Sequence, residues 1–354
     1  MAIKVLIVDD SALVRQSFKA ILESDREISV IATARDPFVA AERIAKEKPD
    51  VITLDMVMPK MDGLTFLKKL MKQAPIPVIV ISNQTNKGAE LAMKSLEYGA
   101  VDVISKPNIS NEEQIEESKV LLIDKVKSAY YAGRKSKKIK EERLKNKNNI
   151  TSNSGAFHHH NTVIAVGAST GGTEAIKDFL QSLPSEMPPI LIVQHMPEKF
   201  TASFAARLNE LCSLHVKEAE NNEEIKKNTV YIAPGNFHMS LHYNLSKKYI
   251  RITKGDLVNR HRPSVNVLFN SVAKSAGENA IGIIMTGMGD DGALGMKNMF
   301  DRGAFTIAQD EDSSVVFGMP MKAIQNKGVT QIMPLNEIAP AVIQLLENKG
   351  IATD

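Results

Sequence analysis

Short runs dense in Val and Ile recur along this 354-residue chain, each followed by a longer stretch with apolar residues at helical spacing. In residues 1–107 the runs are Ile3–Val8, Ile28–Ala32, Val51–Leu54, Val78–Ile81 and Val101–Ile104. The stretches between them carry patterns such as Leu13, Phe18, Ile21 and Leu22. A strand buried on both faces reads as a continuous apolar run, and joining it to a parallel neighbour needs a crossover helix. Five such repeats therefore predict a parallel sheet wrapped by helices. A fifth helix is expected over about Asn111–Tyr131, with Ile115, Leu122, Val126 and Tyr130 on one side. The alternation resumes at Thr162, with strands expected at Val163–Val166, Ile190–Val193, Thr229–Ile232, Ile281–Met285 and Phe305–Ala308. A hairpin-like insertion is expected around Tyr231–Thr253. The fold class is thus α/β twice over, the second domain doubly wound and mostly parallel.

Between the two halves the composition changes. Arg134–Lys147 holds eight Lys or Arg against two Glu, with Ile139 and Leu144 as its only apolar residues. It cannot bury enough apolar area to offset its ordering entropy, so it reads as a basic linker that could also meet an acidic partner. Domains are expected at 1–130 and 161–354, with the linker at 131–160. His158–His160 could bind a metal, but no fourth ligand is placed by spacing. The net charge of +3 makes no demand for nucleic acid. One cysteine, Cys212, excludes an internal disulfide and fits a reducing cytosol. It ends a helical stretch and reads as a small packing residue rather than a catalytic thiol. The start, MAIKVLIVDD, lacks the long apolar region of a signal peptide, and no stretch approaches a membrane span. A cytoplasmic protein without membrane insertion, and a monomer, is the expectation.

Three carboxylates stand at strand ends in the first domain: Asp9 and Asp10 after IKVLIV, and Asp55 after VITL. Parallel strands share one C-terminal edge, so these groups converge there. Clustered carboxylates repel unless a cation lies among them, and hard oxygen ligands suit Mg²⁺. Lys106 and Ser82 follow or end strands at the same edge and would present an ammonium and a hydroxyl to an anion.

VDDS, LDMVMPKMDG and SKP together resemble the response-regulator receivers. The resemblance implies a flavodoxin-like (βα)5 domain whose Asp55 accepts a phosphoryl group from a histidine kinase. By the same resemblance, Asp10 and Asp55 hold Mg²⁺ with Asp9 close by and the Val57 backbone carbonyl as a further ligand. Lys106 and Ser82 then contact the phosphoryl oxygens. Val103 stands where many receivers carry a switching aromatic residue.

In the second domain, TVIAVGASTGGTEAI reads as strand, tight turn and helix, and Gly167–Gly171 fits the G-x-S-x-G nucleophile elbow around Ser169. The same loop could cradle a phosphate. A dinucleotide site would want an acid at the next strand end, where Gln194 and His195 stand instead. A serine hydroxyl needs a base, and the base an orienting carboxylate. IGIIMTGMGDDGALGM brings two acids, Asp290 and Asp291, to the same edge. The order Ser…His…Asp differs from that of α/β-hydrolases.

GASTGGTEAI, QHMP and MTGMGDDGALGM closely resemble the catalytic domain of the chemotaxis protein-glutamate methylesterases, the CheB proteins. The resemblance implies a phosphorylation-regulated carboxylic-ester hydrolase. Ser169 would attack glutamyl γ-methyl esters on chemoreceptors, and receptor glutamines would be deamidated by the same acyl-enzyme route. His195 would be the base and Asp291 the third member, with Asp290 a turn residue. The Met288 backbone amide would serve the oxyanion, and Thr170 would help position the nucleophile. No cofactor is implied for the ester reaction. Arg262, in an arginine-rich turn, is a candidate substrate contact, and similar sequences often have Asp where Asn266 stands. His238 and His261 lie outside any elbow-like context. A C-terminal half that only binds a partner or nucleotide would leave this trio without a purpose, and a DNA-binding output lacks a helix-turn-helix.

Overall fold

The computed structural model describes residues 2–83, 85–106, 112–145, 161–244 and 247–351. They divide into two compact units, Met1–Lys138 and Ile139–Asp354. No helix among the described residues is long and apolar enough to cross a membrane.

The first unit alternates β1 (Ile3–Val8), α1 (Ala12–Glu23), β2 (Ile28–Ala34), α2 (Pro37–Lys46), β3 (Val51–Asp55), α3 (Gly63–Gln73), β4 (Val78–Ser82), α4 (Asn86–Glu97), β5 (Asp102–Ser105) and α5 (Glu112–Lys145), the last of which runs seven residues past the unit's end at Lys138. Its strands are all parallel, in the order β2-β1-β3-β4-β5. Val5, Ile7, Ile79 and Ile81 pack against Phe18, Leu22, Leu122 and Val126 in one core. Polar side chains start four of the helices. Ser11, Asp36, Asp62 and Thr85 each accept from a backbone N–H of the following first turn, a type of bond that typically contributes about 1 kcal/mol. Helix α5 runs to Lys145, beyond the Tyr131 end expected from its apolar face. Lys, Arg and Glu are good helix formers and no proline intervenes, so the backbone stays helical after the apolar pattern has run out. Residues 146–160, including His158–His160, lie outside the described residues.

The second unit contains β6 (Val163–Ala168), α6 (Gly172–Gln181), β7 (Ile190–Gln194), α7 (Phe200–Leu211), β8 (His215–Glu218), β9 (Thr229–Ile232), β10 (His238–Asn244), β11 (Lys247–Thr253), α8 (Val265–Ala276), β12 (Ala280–Ile284), α9 (Ala293–Asp301), β13 (Phe305–Gln309), α10 (Met319–Gln325), β14 (Gln331–Met333) and α11 (Leu335–Ile351). Seven strands form a parallel sheet in the order β14-β13-β12-β6-β7-β9-β8. Strands β6, β7 and β12 are buried along their whole length, as expected for a sheet covered on both faces. The insertion is an antiparallel hairpin, β10–β11, beginning at His238 rather than Tyr231. Tyr231 lies within β9, and its hydroxyl accepts from Lys226 N. Met239, Leu241 and Ile250 of the hairpin share a core with Leu268 and Val272 of α8.

Both sheets change winding direction once, between β1 and β3 in the first and between β6 and β12 in the second. A crevice opens beyond the strand ends at such a point, which is where open α/β sheets bind ligands.

Candidate active site

In the first unit the crevice is acidic. Asp9 follows β1 and Asp55 closes β3, both buried, while Asp10 is exposed. Carboxylate oxygens of all three lie within 4.8 Å of one another. Lys106 Nζ reaches Asp55 Oδ2 at 2.7 Å and Asp9 Oδ2 at 3.1 Å. Burial pushes the Asp9 carboxyl above the usual range, and the Asp55 charge adds to this; the Ser11 amide and Lys106 oppose it. Burial also disfavours the Lys106 ammonium, but its bonds to Asp55 and Asp9 outweigh that and hold it above the ordinary lysine value. Asp9 Oδ2 is buried, with the Lys106 ammonium at 3.1 Å as its contact. Three clustered carboxylates balanced by a single ammonium fit a hard divalent cation such as Mg²⁺. Val57 N donates to Asp55 Oδ1 at 3.2 Å, which keeps that loop against the carboxylate. The Ser82 hydroxyl donates to the Gly88 carbonyl in the first turn of α4. Val103 is buried in β5.

In the second unit Ser169 leaves β6 on a sharp turn. Its N–H donates to Thr286 O at 3.0 Å, and its carbonyl accepts from Gly172 N at 2.7 Å and from Gln194 Nε2 at 2.9 Å. Gly171 holds φ +79°, a left-handed conformation that glycine adopts without steric cost. Gly287, on the adjoining turn after β12, lies so close that a Cβ there would come within 2.8 Å of the Ser169 Cβ. The Thr286 hydroxyl donates to Thr170 O at 3.0 Å and accepts from Val316 N at 2.9 Å, which ties the two turns together. Thr170 is buried, and Met288 follows Gly287 half-buried at the edge. The Gly287 carbonyl accepts from Gly318 N and Met319 N, which fixes the peptide before Met288.

Parallel register sets Ala168 opposite Gln194, so Ser169 and His195 are the next residues on neighbouring strands. His195 N donates to Ala168 O at 3.1 Å. Its Nε2 lies 2.8 Å from Asp291 Oδ2. A carboxylate only accepts, so Nε2 carries the proton and Nδ1 the lone pair. Nδ1 is buried and has no hydrogen-bond partner among the described residues. Serine proteases use the ring the other way round, with Nδ1 facing the carboxylate.

Asp291 is buried where α8 begins. Oδ1 accepts from the Ser264 hydroxyl at 2.7 Å and Asn266 N at 3.1 Å; Oδ2 accepts from Val265 N at 2.7 Å as well as from His195. A helix N-terminus offers unpaired amides and a positive dipole end to an anion. In the sequence Ser264 reads only as a helix start, and Asn266 stands where similar sequences often have Asp. Ser264 does occupy the cap position, but its side chain makes no cap bond and turns to Asp291 instead. The Asn266 side chain accepts from Gly295 N and donates to Asn259 Oδ1. Asp290 is exposed and accepts from Asn259 Nδ2 at 3.2 Å. Arg262 donates to Asn236 Oδ1 and Gly255 O. His238 accepts from Ser264 N through Nδ1 and donates to Asp256 O through Nε2, so both its nitrogens serve the fold. His261 lies flat against His195, ring centroids 3.7 Å apart and planes 13° apart. Cys212 caps the C-terminal end of α7, and burial pushes its thiol up to about 11. Alkylation by iodoacetamide at pH 8 is therefore expected to be slow in the native protein and fast in urea. Rapid native labelling in a thiol assay would contradict this.

Residues 164–342 match the family described as CheB methylesterase, and residues 5–118 match the response regulator receiver domain. A protein-glutamate methylesterase/protein-glutamine glutaminase of Geobacter metallireducens is 52% identical over 352 residues, covering 97% of this chain and 99% of its own. One of Oleidesulfovibrio alaskensis is 49% identical, covering 97% and 98%. The crystal structure of the Thermotoga maritima CheB methylesterase catalytic domain aligns with a TM-score of 0.51 and 38% identity, covering 52% of this chain and 98% of that one. Two α/β units, the first with a receiver's acidic crevice and the second with Ser, His and Asp at its own switch point, thus coincide with similarity along nearly the whole chain: the protein belongs to the CheB methylesterase family and carries a response regulator receiver domain.

Proposed function

We propose that this protein removes methyl groups from glutamyl γ-methyl esters of chemoreceptors, and deamidates receptor glutamines, under control of phosphorylation at Asp55. The observation that carries the reading is the His195–Asp291 pair, which leaves a buried, unpartnered Nδ1 at the strand edge beside Ser169. The names of the full-length relatives support the same substrate class. In this reading Ser169 Oγ attacks the γ-carbonyl while its proton passes to His195 Nδ1. The Met288 amide donates to the oxyanion, and Thr170 helps to hold the serine turn. Collapse expels methoxide, which takes the proton from His195 and leaves as methanol. Water then attacks the acyl-enzyme, giving its proton to His195, and the receptor carboxylate and free Ser169 are released. With a glutamine the first leaving group is ammonia. No cofactor enters these steps.

In the receiver, Asp55 accepts the phosphoryl group from a chemotaxis histidine kinase. Asp9, Asp10, Asp55 and the Val57 carbonyl would hold Mg²⁺, which when bound neutralises charge around the transferring group. Lys106 is placed to pair with the phosphoryl oxygens, and Ser82 can join it by releasing the Gly88 carbonyl. The substrate receptors and kinase imply a cytoplasmic site of action, with neither nucleic acid nor membrane insertion, and a monomer suffices for both chemistries.

The test is methanol release from a methylated receptor fragment, with and without a small phosphodonor and Mg²⁺. Stimulation of roughly 5- to 150-fold is expected, the ordinary range of coupling between two sites. It should vanish in Asp55→Asn while the unstimulated rate stays. Equal rates with and without phosphodonor in the unmodified protein would remove the regulatory half of the proposal.

A further inference from the structure

We propose that His261 is a positioning residue for His195, fixing the plane of the base and facing the imidazolium that forms in acyl transfer. This rests on the reading of Ser169, His195 and Asp291 given above. Among the described residues, the one hydrogen bond to the His195 ring is at Nε2. In an imidazole the extended Cβ–Cγ axis passes between Nε2 and Cε1, so the Nε2 N–H points off the axis and the Asp291 bond restrains rotation from one edge of the ring. The opposite edge, with Nδ1, has no hydrogen bond of its own among the described residues. A second ring, 3.7 Å from the first and within 13° of parallel, blocks that rotation by contact. With His261 neutral, its π face also attracts a cation, so the contact becomes more favourable when His195 takes the serine proton.

The backbone carrying His261 is built for this placement. Val258 and His261 exchange both main-chain hydrogen bonds, at 3.1 and 3.0 Å, around a two-residue turn. Asn259 and Arg260 within it hold φ +49° and +65°, the type I′ pattern that prefers Gly at the second position. Arg260 is thus kept in a conformation that an L-residue adopts at a cost. The turn is pinned by Asn259, which accepts from Asn266 Nδ2 at 2.9 Å and donates to Asp290 Oδ1. Three residues on, Ser264 holds Asp291. One segment, residues 258–264, therefore sets both the face of the base and the carboxylate at its edge.

The test uses the full-length protein activated with phosphodonor, with methylated receptor fragment as substrate, and compares His261→Ala, His261→Gln, His261→Phe and Ser169→Ala. The expected result is a kcat about tenfold lower in His261→Ala and His261→Gln at unchanged KM, the scale of a partly desolvated cation–π contact. His261→Phe should recover most of the loss. If His261→Ala fails to fold by circular dichroism, the Gln and Phe variants decide. Equal kcat in those two, or a change confined to KM, overturns the proposal. An active Ser169→Ala overturns the triad reading instead, whereas a dead Ser169→Ala beside a His261→Gln of unmodified kcat overturns only the role of His261.

Discussion

Replacing Ser169 by alanine is expected to lower methanol release from a methylated receptor fragment by roughly 10⁴- to 10⁶-fold, as loss of the nucleophile does in other serine hydrolases. The fold should not change. The bonds that hold the turn run through the Ser169 backbone, to Thr286 O, Gly172 N and Gln194 Nε2, and none of them needs the hydroxyl. Ser169 is only 4% exposed, and its truncation to alanine removes a single oxygen. A melting temperature within a few degrees of the unmodified protein is therefore expected alongside the lost activity. His195→Gln should be similarly inactive, and the double variant no worse than either single one, because proton acceptor and nucleophile act as one unit. Methanol quantified by gas chromatography reads all three. A Ser169→Ala protein retaining a tenth of the activity would remove the serine from the mechanism.

Much of this site was legible in the primary structure because a parallel sheet converts chain order into spatial order. Residues that follow VIAVGA, ILIVQ and AIGII must emerge at one edge, and Ser169, His195 and Asp291 do so. The strands themselves were legible because burial on both faces makes them continuously apolar. Where burial is partial the signal fails. Strand β8, HVKE, sits at the sheet edge with one buried residue, and β14, QIM, likewise; neither carries an apolar run. Helix α5 fails in the opposite way, since its last turns are sustained by propensity where no apolar pattern marks them. The supports of the site were hidden for a different reason. Ser264 meets Asp291 from 27 positions away, and its local context, a proline and a serine before a helical run, already had an ordinary explanation as a helix start. His261 meets His195 through a turn whose geometry depends on Asn259 and Arg260 holding positive φ, which few patterns in L-residues announce.

Asp291→Asn should separate orientation of the base from its stabilisation. The carboxylate receives four donors, two on each oxygen. An asparagine keeps one acceptor and replaces the other by an NH₂. With the NH₂ at the Oδ2 position it would confront the Val265 amide, now 2.7 Å away, and force His195 to carry its proton on Nδ1, which destroys the base. With the NH₂ at the Oδ1 position it would confront only the longer Asn266 amide bond at 3.1 Å, because the Ser264 hydroxyl can rotate and accept instead. The second orientation leaves one buried N–H unpaired against two conflicts in the first, so it wins by about 1–3 kcal/mol. His195 then keeps its tautomer but loses the negative charge that stabilises its imidazolium. The expected fall in kcat is about 10²- to 10³-fold, or roughly 3–4 kcal/mol on the barrier, less than the ~10⁴-fold seen where the same change in a serine protease imposes the wrong tautomer. The unpaired Asn266 amide and the lost charge at the start of α8 together should lower stability by roughly 2–4 kcal/mol, or about 5–10 °C in the melting of the catalytic unit. Calorimetry and methanol release on the same sample give both numbers. A fall of about 10⁴-fold or more would show that the asparagine had taken the first orientation, and an unchanged rate would remove Asp291 from the mechanism.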